Sequence, residues 1–540
     1  MKRFVHGRLG VGLAALALVA AACGGGGSEE STTKTFSVAL TEPAHLNPGD
    51  SNESYGIQVI QSLFDRLTEL DPKTGEPKMQ QAESITSNDQ KVWTIKLKPG
   101  LTFHNGEKVT AQSYVDAWNA AAYGPNGWAN NYFFGNIEGY DALNPEDPDE
   151  DGPKEAPKPE SDEMSGLKVT DESTFEVTLT APLSQFPLTL AYTGFVALPK
   201  VAFDDFKKFD QAPIGNGPFQ MDGVWQHNRE IKLKRFAGYK GNRPAKAAGL
   251  VYKIYPNNDT AYTDLQAGKV DVLLTIPAAK VPSAKRDLGE RFLDTPAGTM
   301  DFLAFPLYDK RFDDVNLRYA ISMAIDREAI TKAVYNGAYK SSKSLVAPIV
   351  PGFRDDPCGQ HCTYDPTGAK ALYDKAGGID GPLELWFSNS DPTYRQWMEA
   401  VANQLKQNLG ISEIKFRSIP AADYLTTLSE HKATGPYRQN WVMDYPSAEN
   451  YLGPLYGRDG GSNRGGYSNP QVDALISKGN GAKSIRESIT YYQQAEDLVL
   501  KDMPVTPLWN WRQQSGHSDN VSGILIDPYI QLHVDKVVVK

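Results

Sequence analysis

Strand-type and helix-type hydrophobic periods alternate from one end of this chain to the other, and no single core can hold them all. The segments "VWTIKL" (92–97), "TFEVTLT" (174–180) and "REIKLKRF" (229–236) alternate apolar and polar residues, as half-buried strands do. In "LRYAISMAIDREAI" (317–330), Leu317, Ala320, Ile321, Ala324 and Ile325 share one helical face. "VTAQSYVDAWNAAAYG" (109–124) reads as a helix with Thr110 as N-cap and Gly124 near its end. A chain of 540 residues exceeds one hydrophobic core, so two or three α/β or α+β lobes are expected. No period of 20–50 residues recurs, which argues against a solenoid or propeller.

The start carries an address. Lys2, Arg3 and Arg8 precede an apolar run from Val11 to Ala22, too short to span a bilayer comfortably. Basic, apolar and then small residues have the form of a signal peptide over 1–22. The run ends at Cys23, and "GGGGSEESTTK" follows as a flexible tether over 23–34. The layout resembles a lipoprotein signal, in which cleavage before the cysteine leaves Cys23 to carry the lipid. Ala20 stands where leucine is usual in that pattern. The body is therefore expected outside the cytoplasm, anchored to the cell membrane.

An oxidising compartment favours a disulfide between Cys358 and Cys362. A metal site with the intervening His361 would lack a fourth ligand. The acidic, proline-rich stretch 144–163 has no apolar period and reads as an exposed excursion. Within it Asp147, Asp149, Asp151 and Gly152 copy the opening of a calcium loop. Lys158 occupies the twelfth position and Pro148 interrupts the loop, so the charges are expected to be solvated.

Several function classes are disfavoured. The net charge of −11 argues against nucleic acid. No G-x-S-x-G, H-E-x-x-H, Walker loop or dinucleotide fingerprint occurs, and "SEHK" (429–432) lacks its β-lactamase partner motifs. No catalytic residue, metal or cofactor is expected. The 26 Tyr, 21 Phe and 9 Trp include many in polar settings, as in "NNYFFGN", "GVWQHN", "NWVMDYP" and "PLWNWRQQ", which suits binding surfaces as well as cores. In "NWVMDYP", Asp444 lies between an apolar run and a tyrosine. Chemistry alone leaves it a structural ion pair, a catalytic acid or a ligand anchor.

"LKPGLTFHNGEKVTAQSYVDAWNAA" (97–121) resembles the signature of extracellular solute-binding proteins of family 5, which serve ABC importers for peptides and nickel. Similar segments follow the family's order at 41–67, 212–241, 259–272, 316–330 and 504–511. The resemblance implies a class II, cluster C periplasmic-binding-protein fold, with two main lobes, a hinge and an inserted domain. Lobe I would take 35–72, 215–303 and 512–540, lobe II 73–214, and lobe III 304–511.

The resemblance also implies a site between lobes I and III. Trp441-Val442-Met443-Asp444 matches the pattern in which the acid meets a peptide α-ammonium. Arg438 matches an arginine that meets a peptide carboxylate; its rival reading is a structural partner for Asp444. Tyr445 would line a side-chain pocket, and Asn52 and Ser54 would approach the ligand. Asn228, with Trp225 nearby, Tyr132, and one or both of Trp509 and Trp511 would complete the wall. The implied protein is no enzyme. It is a monomeric, lipid-anchored receptor that delivers short peptides to ABC permease and ATPase subunits. The alternatives on the same scaffold are a nickel chelate, an oligosaccharide or a peptide-sensing role.

Overall fold

The computed structural model describes residues 33–72, 75–145, 158–389, 392–458 and 460–540. Cys23 and the acidic positions Asp147, Asp149 and Asp151 lie outside the described residues.

Two strands of 13 residues, Phe292–Ala304 and Val505–His517, run antiparallel through the middle of the main sheet. Their pairing changes register part way along. Phe292 to Pro296 face Gly516 to Arg512, and pairing resumes at Met300 opposite Asn510. On one side of this irregularity the sheet continues through Val272–Leu273, Thr35–Leu40, Gly249–Ile254, Glu230–Arg235 and Phe219–Met221. On the other it continues through Tyr437–Val442, Leu383–Ser388 and Ile414–Ile419. The apolar residues divide in the same way. One core gathers residues from Phe36 to Leu274 with Val521 to Val539, the other gathers Met300 to Trp509, and a small third cluster packs Ala39 with Ala261 to Leu288.

A separate antiparallel sheet joins the first core, in the order Ala82–Thr86, Val92–Leu97, Thr174–Thr178, Leu167–Asp171. The helix Ala111–Ala122 covers it. Thr110 Oγ1 accepts from the Ser113 N–H, and Ser113 Oγ accepts from the Thr110 N–H, a complete capping box. Tyr114 and Trp118 of this helix pack against Phe175. The stripe at 317–330 is two helices, Val315–Met323 and Arg327–Tyr335, where the sequence reads as one. Asp326 breaks it, because its carboxylate accepts the Ala329 N–H and caps a new first turn.

Beyond the two long strands, the cores touch through a second bridge. The Ser184 N–H donates to the Asn480 carbonyl at 2.6 Å, and Gln185 Nε2 donates to Ser488 Oγ at 2.9 Å. Leu183 and Phe186 beside it belong to the first core, Ile476 and Tyr492 to the second.

The register change is held by a buried carboxylate. Asp301 is fully buried; its Oδ2 accepts from Trp509 Nε1 at 3.0 Å and Trp511 Nε1 at 2.6 Å. Its Oδ1 lies 2.8 Å from Arg438 Nη2. Three neighbouring strands thus meet at one residue. Removing one member of a buried pair strands the other charge, at a cost of about 3–5 kcal/mol. Asp301→Ala is expected to lower the unfolding free energy by about that amount in urea titrations, and Asp301→Asn by less.

Candidate functional site

The strand Tyr437–Val442 ends at the junction of the two cores, and the chain beyond it is pinned to the register change. The Met443 N–H donates to the Gly298 carbonyl at 3.0 Å, which also accepts from Tyr451 Oη at 2.8 Å. The Gly298 N–H donates to the Pro528 carbonyl at 3.0 Å. A Cβ at position 298 would stand 2.5 Å from the Met443 side chain, which would have to move to admit it. Asp444 comes next.

Asp444 is held from behind by Asn450, in the first turn of the helix Glu449–Tyr456. Asn450 Nδ2 donates to Asp444 Oδ2 at 3.0 Å, and Asn450 Oδ1 accepts the Asp444 N–H at 2.8 Å and Trp441 Nε1 at 3.2 Å. Among the described residues, no Lys, Arg or His forms an ion pair with Asp444. Burial pushes its carboxyl up to about 6, and the Asn450 hydrogen bond offsets only part of that push.

Asp444 opens onto a cavity of about 630 Å³, within the range of small-ligand sites. Asn52, Glu53, Ser54 and Tyr55 line it from the start of the helix Ser54–Leu63. Arg66, Glu69 and Asp71 follow, then Tyr192, Ile349, Pro446, Asp527, Tyr529, Gln531 and His533. Residues of both cores therefore share one wall. Glu53 also serves the fold, because its carboxylate accepts the N–H groups of Tyr55 and Gly56 as helix N-cap. The phenols of Tyr132, Tyr192, Tyr451 and Tyr529 are raised by burial first, and the Asp444 charge adds to each. Asp444 thus sits amid tyrosines, neutral groups that cannot balance it.

The structure brings Asp444, Asn52 and Ser54 to one cavity. Tyr132 is exposed, yet close enough to feel the Asp444 charge. Trp441 stands behind Asp444 through Asn450. Tyr445 turns from the cavity and donates its hydroxyl to Glu449. Arg438 is not the partner of Asp444. Asp301 draws it into the second core, its guanidinium stacks 3.7 Å from the Tyr394 ring centroid, and Nη1 donates to Asn440 Oδ1.

Trp509 and Trp511 do share a strand face, as their spacing implies. That face turns to Asp301, so they buttress the sheet where a cavity wall is expected of them. Trp225 is buried with its ring 4.0 Å from that of His227, and Asn228 occupies a left-handed turn (φ 58°) bonded to Glu42. Neither reaches the cavity lining. Cys358 and Cys362 are joined in a disulfide with Cα atoms 5.6 Å apart, and His361 stacks on Tyr319.

Asp444 and the empty fold have a pH-dependent relation. A carboxyl raised by folding binds its proton more tightly when native, so its penalty is absent at low pH and grows as pH rises through about 6. In protein stripped of ligand, Asp444→Asn is expected to raise the melting temperature above pH 7 and leave it nearly unchanged near pH 4. Thermal denaturation across that range reads the difference.

Residues 76–463 match the family described as bacterial extracellular solute-binding proteins, family 5, middle region. The oligopeptide-binding protein OppA of Bacillus subtilis (strain 168) is 28% identical over 503 residues, covering 90% of this chain and 89% of its own. The dipeptide-binding protein of Escherichia coli (strain K12) is 26% identical over 554 residues, covering 98% of this chain and 97% of its own. The Escherichia coli murein tripeptide binding protein MppA superposes with a TM-score of 0.74 at 21% identity, over 95% of this chain and 99% of that one. The fold is the two-lobe, class II α/β fold of periplasmic binding proteins. With the match spanning most of its length, the chain belongs to the bacterial extracellular solute-binding proteins, family 5.

Proposed function

We propose that this protein captures short peptides in the cavity beside Asp444 and delivers them to an ABC importer. One observation carries the reading: a carboxylate on the cavity wall, desolvated, fixed by Asn450 and without a cation of its own among the described residues. Such a group is costly to hold empty and is satisfied by an ammonium. A peptide α-ammonium supplies one, and main-chain groups of an extended peptide can be met without regard to sequence by polar neighbours such as Asn52 and Ser54. The names of the relatives, oligopeptide-, dipeptide- and murein tripeptide-binding, support this ligand class.

The remaining steps need no covalent chemistry. Lobe I would comprise 35–72, 215–303 and 512–540, lobe II 73–214 and lobe III 304–511, with the irregular pairing of the two long strands as the hinge. Ligand contacts made only when the lobes are closed would favour closure. The closed complex would be recognised by permease subunits, with an ATPase driving transport. The "AAC" at 21–23 supports a lipid anchor on Cys23, holding a monomeric receptor at the cell membrane.

The first test is to denature protein purified without added ligand and identify what is released by mass spectrometry. Heterogeneous short peptides are expected; a nickel chelate or an oligosaccharide would sink the reading. In calorimetric titrations, Asp444→Asn should weaken peptide binding by roughly 10- to 100-fold, the worth of a hydrogen bond to a charged group. N-acetylation of the peptide should do the same to the wild type and little more to the variant. Because the carboxylate is the binding form, wild-type affinity should fall by roughly tenfold per pH unit well below its value of about 6. A flat profile from pH 4 to 8 would show that Asp444 does not meet the amine.

A further inference from the structure

Five arginines are buried among the described residues, and four of them have an ion pair or at least three carbonyl acceptors. Arg243 pairs with Asp65 at 2.7 Å and donates to the carbonyls of Gln61 and Phe64. Arg318 donates to the carbonyls of Phe312, Asp313, Asp502 and Met503. Arg327 is held by the carbonyls of Ser322, Ile325 and Pro507, and Arg438 has Asp301. Arg66 differs. It is 8% exposed, its Nη1 donates to the Ala191 carbonyl at 3.1 Å, and its Nε is shut from solvent with no acceptor. It also lines the cavity.

No carboxylate among the described residues comes within ion-pair reach of this guanidinium, although acids stand nearby. Asp527 and Glu69 share its wall, but both face His533, at 3.4 Å and 3.9 Å. Asp527 is further occupied by the N–H groups of Tyr529 and Gln531. Burial lowers the His533 pKa, but Asp527, Asp535 and Glu69 outweigh it and hold the ring protonated to higher pH, which offsets their own charge. For Arg66, burial and then the Arg243 charge both work against its cation. Its backbone is fixed: the N–H donates to Gln80 Oε1 at 2.7 Å and the carbonyl accepts the Gln81 N–H at 3.0 Å. The main chain is therefore fixed, and the buried, charged side chain is under-satisfied.

We propose that Arg66 is the cavity's carboxylate-recognition residue, receiving either the C-terminal carboxylate or an acidic side chain of the ligand. The proposal rests on the cavity being the peptide site. With Nε enclosed and Nη1 given to Ala191, Nη2 is the nitrogen of this cavity-lining guanidinium left to donate a charge-assisted hydrogen bond to a carboxylate. With Asp444 on the same wall, the cavity offers one fixed negative and one fixed positive group, which suits a zwitterion.

Calorimetric titration of wild type, Arg66→Gln and Arg66→Lys tests it, with trialanine, trialanine amide, N-acetyl-trialanine, Ala-Glu-Ala amide and Ala-Gln-Ala amide as probes. The wild type is expected to favour trialanine over its amide by about tenfold or more, the scale of one charged hydrogen bond. That ratio should collapse in Arg66→Gln, survive in part in Arg66→Lys, and leave discrimination against the N-acetyl peptide intact. If the Glu amide beats the Gln amide while the terminal amide costs nothing, the carboxylate is the side chain's, and Arg66→Gln should erase that preference. Should the wild type ignore both kinds of carboxylate, or Arg66→Gln keep the preference, the proposal is overturned with no variant needed for the first outcome. Loss of the acetylation effect alone would fall on Asp444 instead. Failure of every peptide to bind would remove both readings together.

Discussion

The Asp301 carboxylate is the contact on which the rest of the arrangement depends. It is fully buried and draws the indoles of Trp509 and Trp511 and the guanidinium of Arg438 to one point. A carboxylate in such a setting survives only with good hydrogen bonds and a cation. Arg438 supplies the cation, and its place in the second core is thereby fixed. This has an effect six residues along the chain. With Arg438 committed to Asp301, it is withdrawn from Asp444, whose carboxylate bonds to the Asn450 amide and lies within electrostatic reach of several phenols. One acid is satisfied internally, and the other is left to the cavity.

The cavity wall therefore combines groups of two kinds. Glu53 and Asp527 have structural partners, a helix N-terminus and a turn with His533. Asp444 and Arg66 are desolvated and held in place, and neither has an ion-pair partner among the described residues. Preorganised charges of this sort bind without reorganising, since the cost of fixing them is met by the fold. The main-chain pins at Gly298 tie Met443, the residue before Asp444, to the long strand where its register changes, so Asp444 is placed by the sheet and not by a loose loop.

Much of this is legible in the sequence. Val92–Leu97 and Glu230–Arg235 follow their alternation, and Thr110 caps its helix, because these signals are local. The place of Asp444 on the cavity wall agrees with what the family resemblance implies for its Trp441-Val442-Met443-Asp444 pattern. The failures are tertiary. Trp509 and Trp511 do alternate on one face, but only the register opposite Phe292–Ala304 decides what that face meets. Asp326 hides a helix break inside a continuous apolar stripe. Arg66 and Asn450 carry no motif; their roles arise from neighbours such as Ala191 and Trp441 at the folded site. Trp225 and Asn228 sit in an aromatic, polar stretch that looks like a binding surface, yet they close a turn against His227 and Glu42.

The bridge at Ser184 and Gln185 gives the molecule a mechanical asymmetry. The two cores are connected by continuous chain, the long strands, and again by hydrogen bonds from Ser184 and Gln185 to Gly479, Asn480 and Ser488. These hydrogen bonds are buried, so each contributes about 1 kcal/mol net while made and leaves polar groups to be rehydrated when broken, whereas the strands are continuous chain. If the lobes part as proposed, the long strands remain as the connection and the bridge at Ser184 and Gln185 is what must come undone. The bridge residues precede Ala191, Tyr192 and Thr193 of the cavity wall by a few positions, so the fastening and the wall share one stretch of chain.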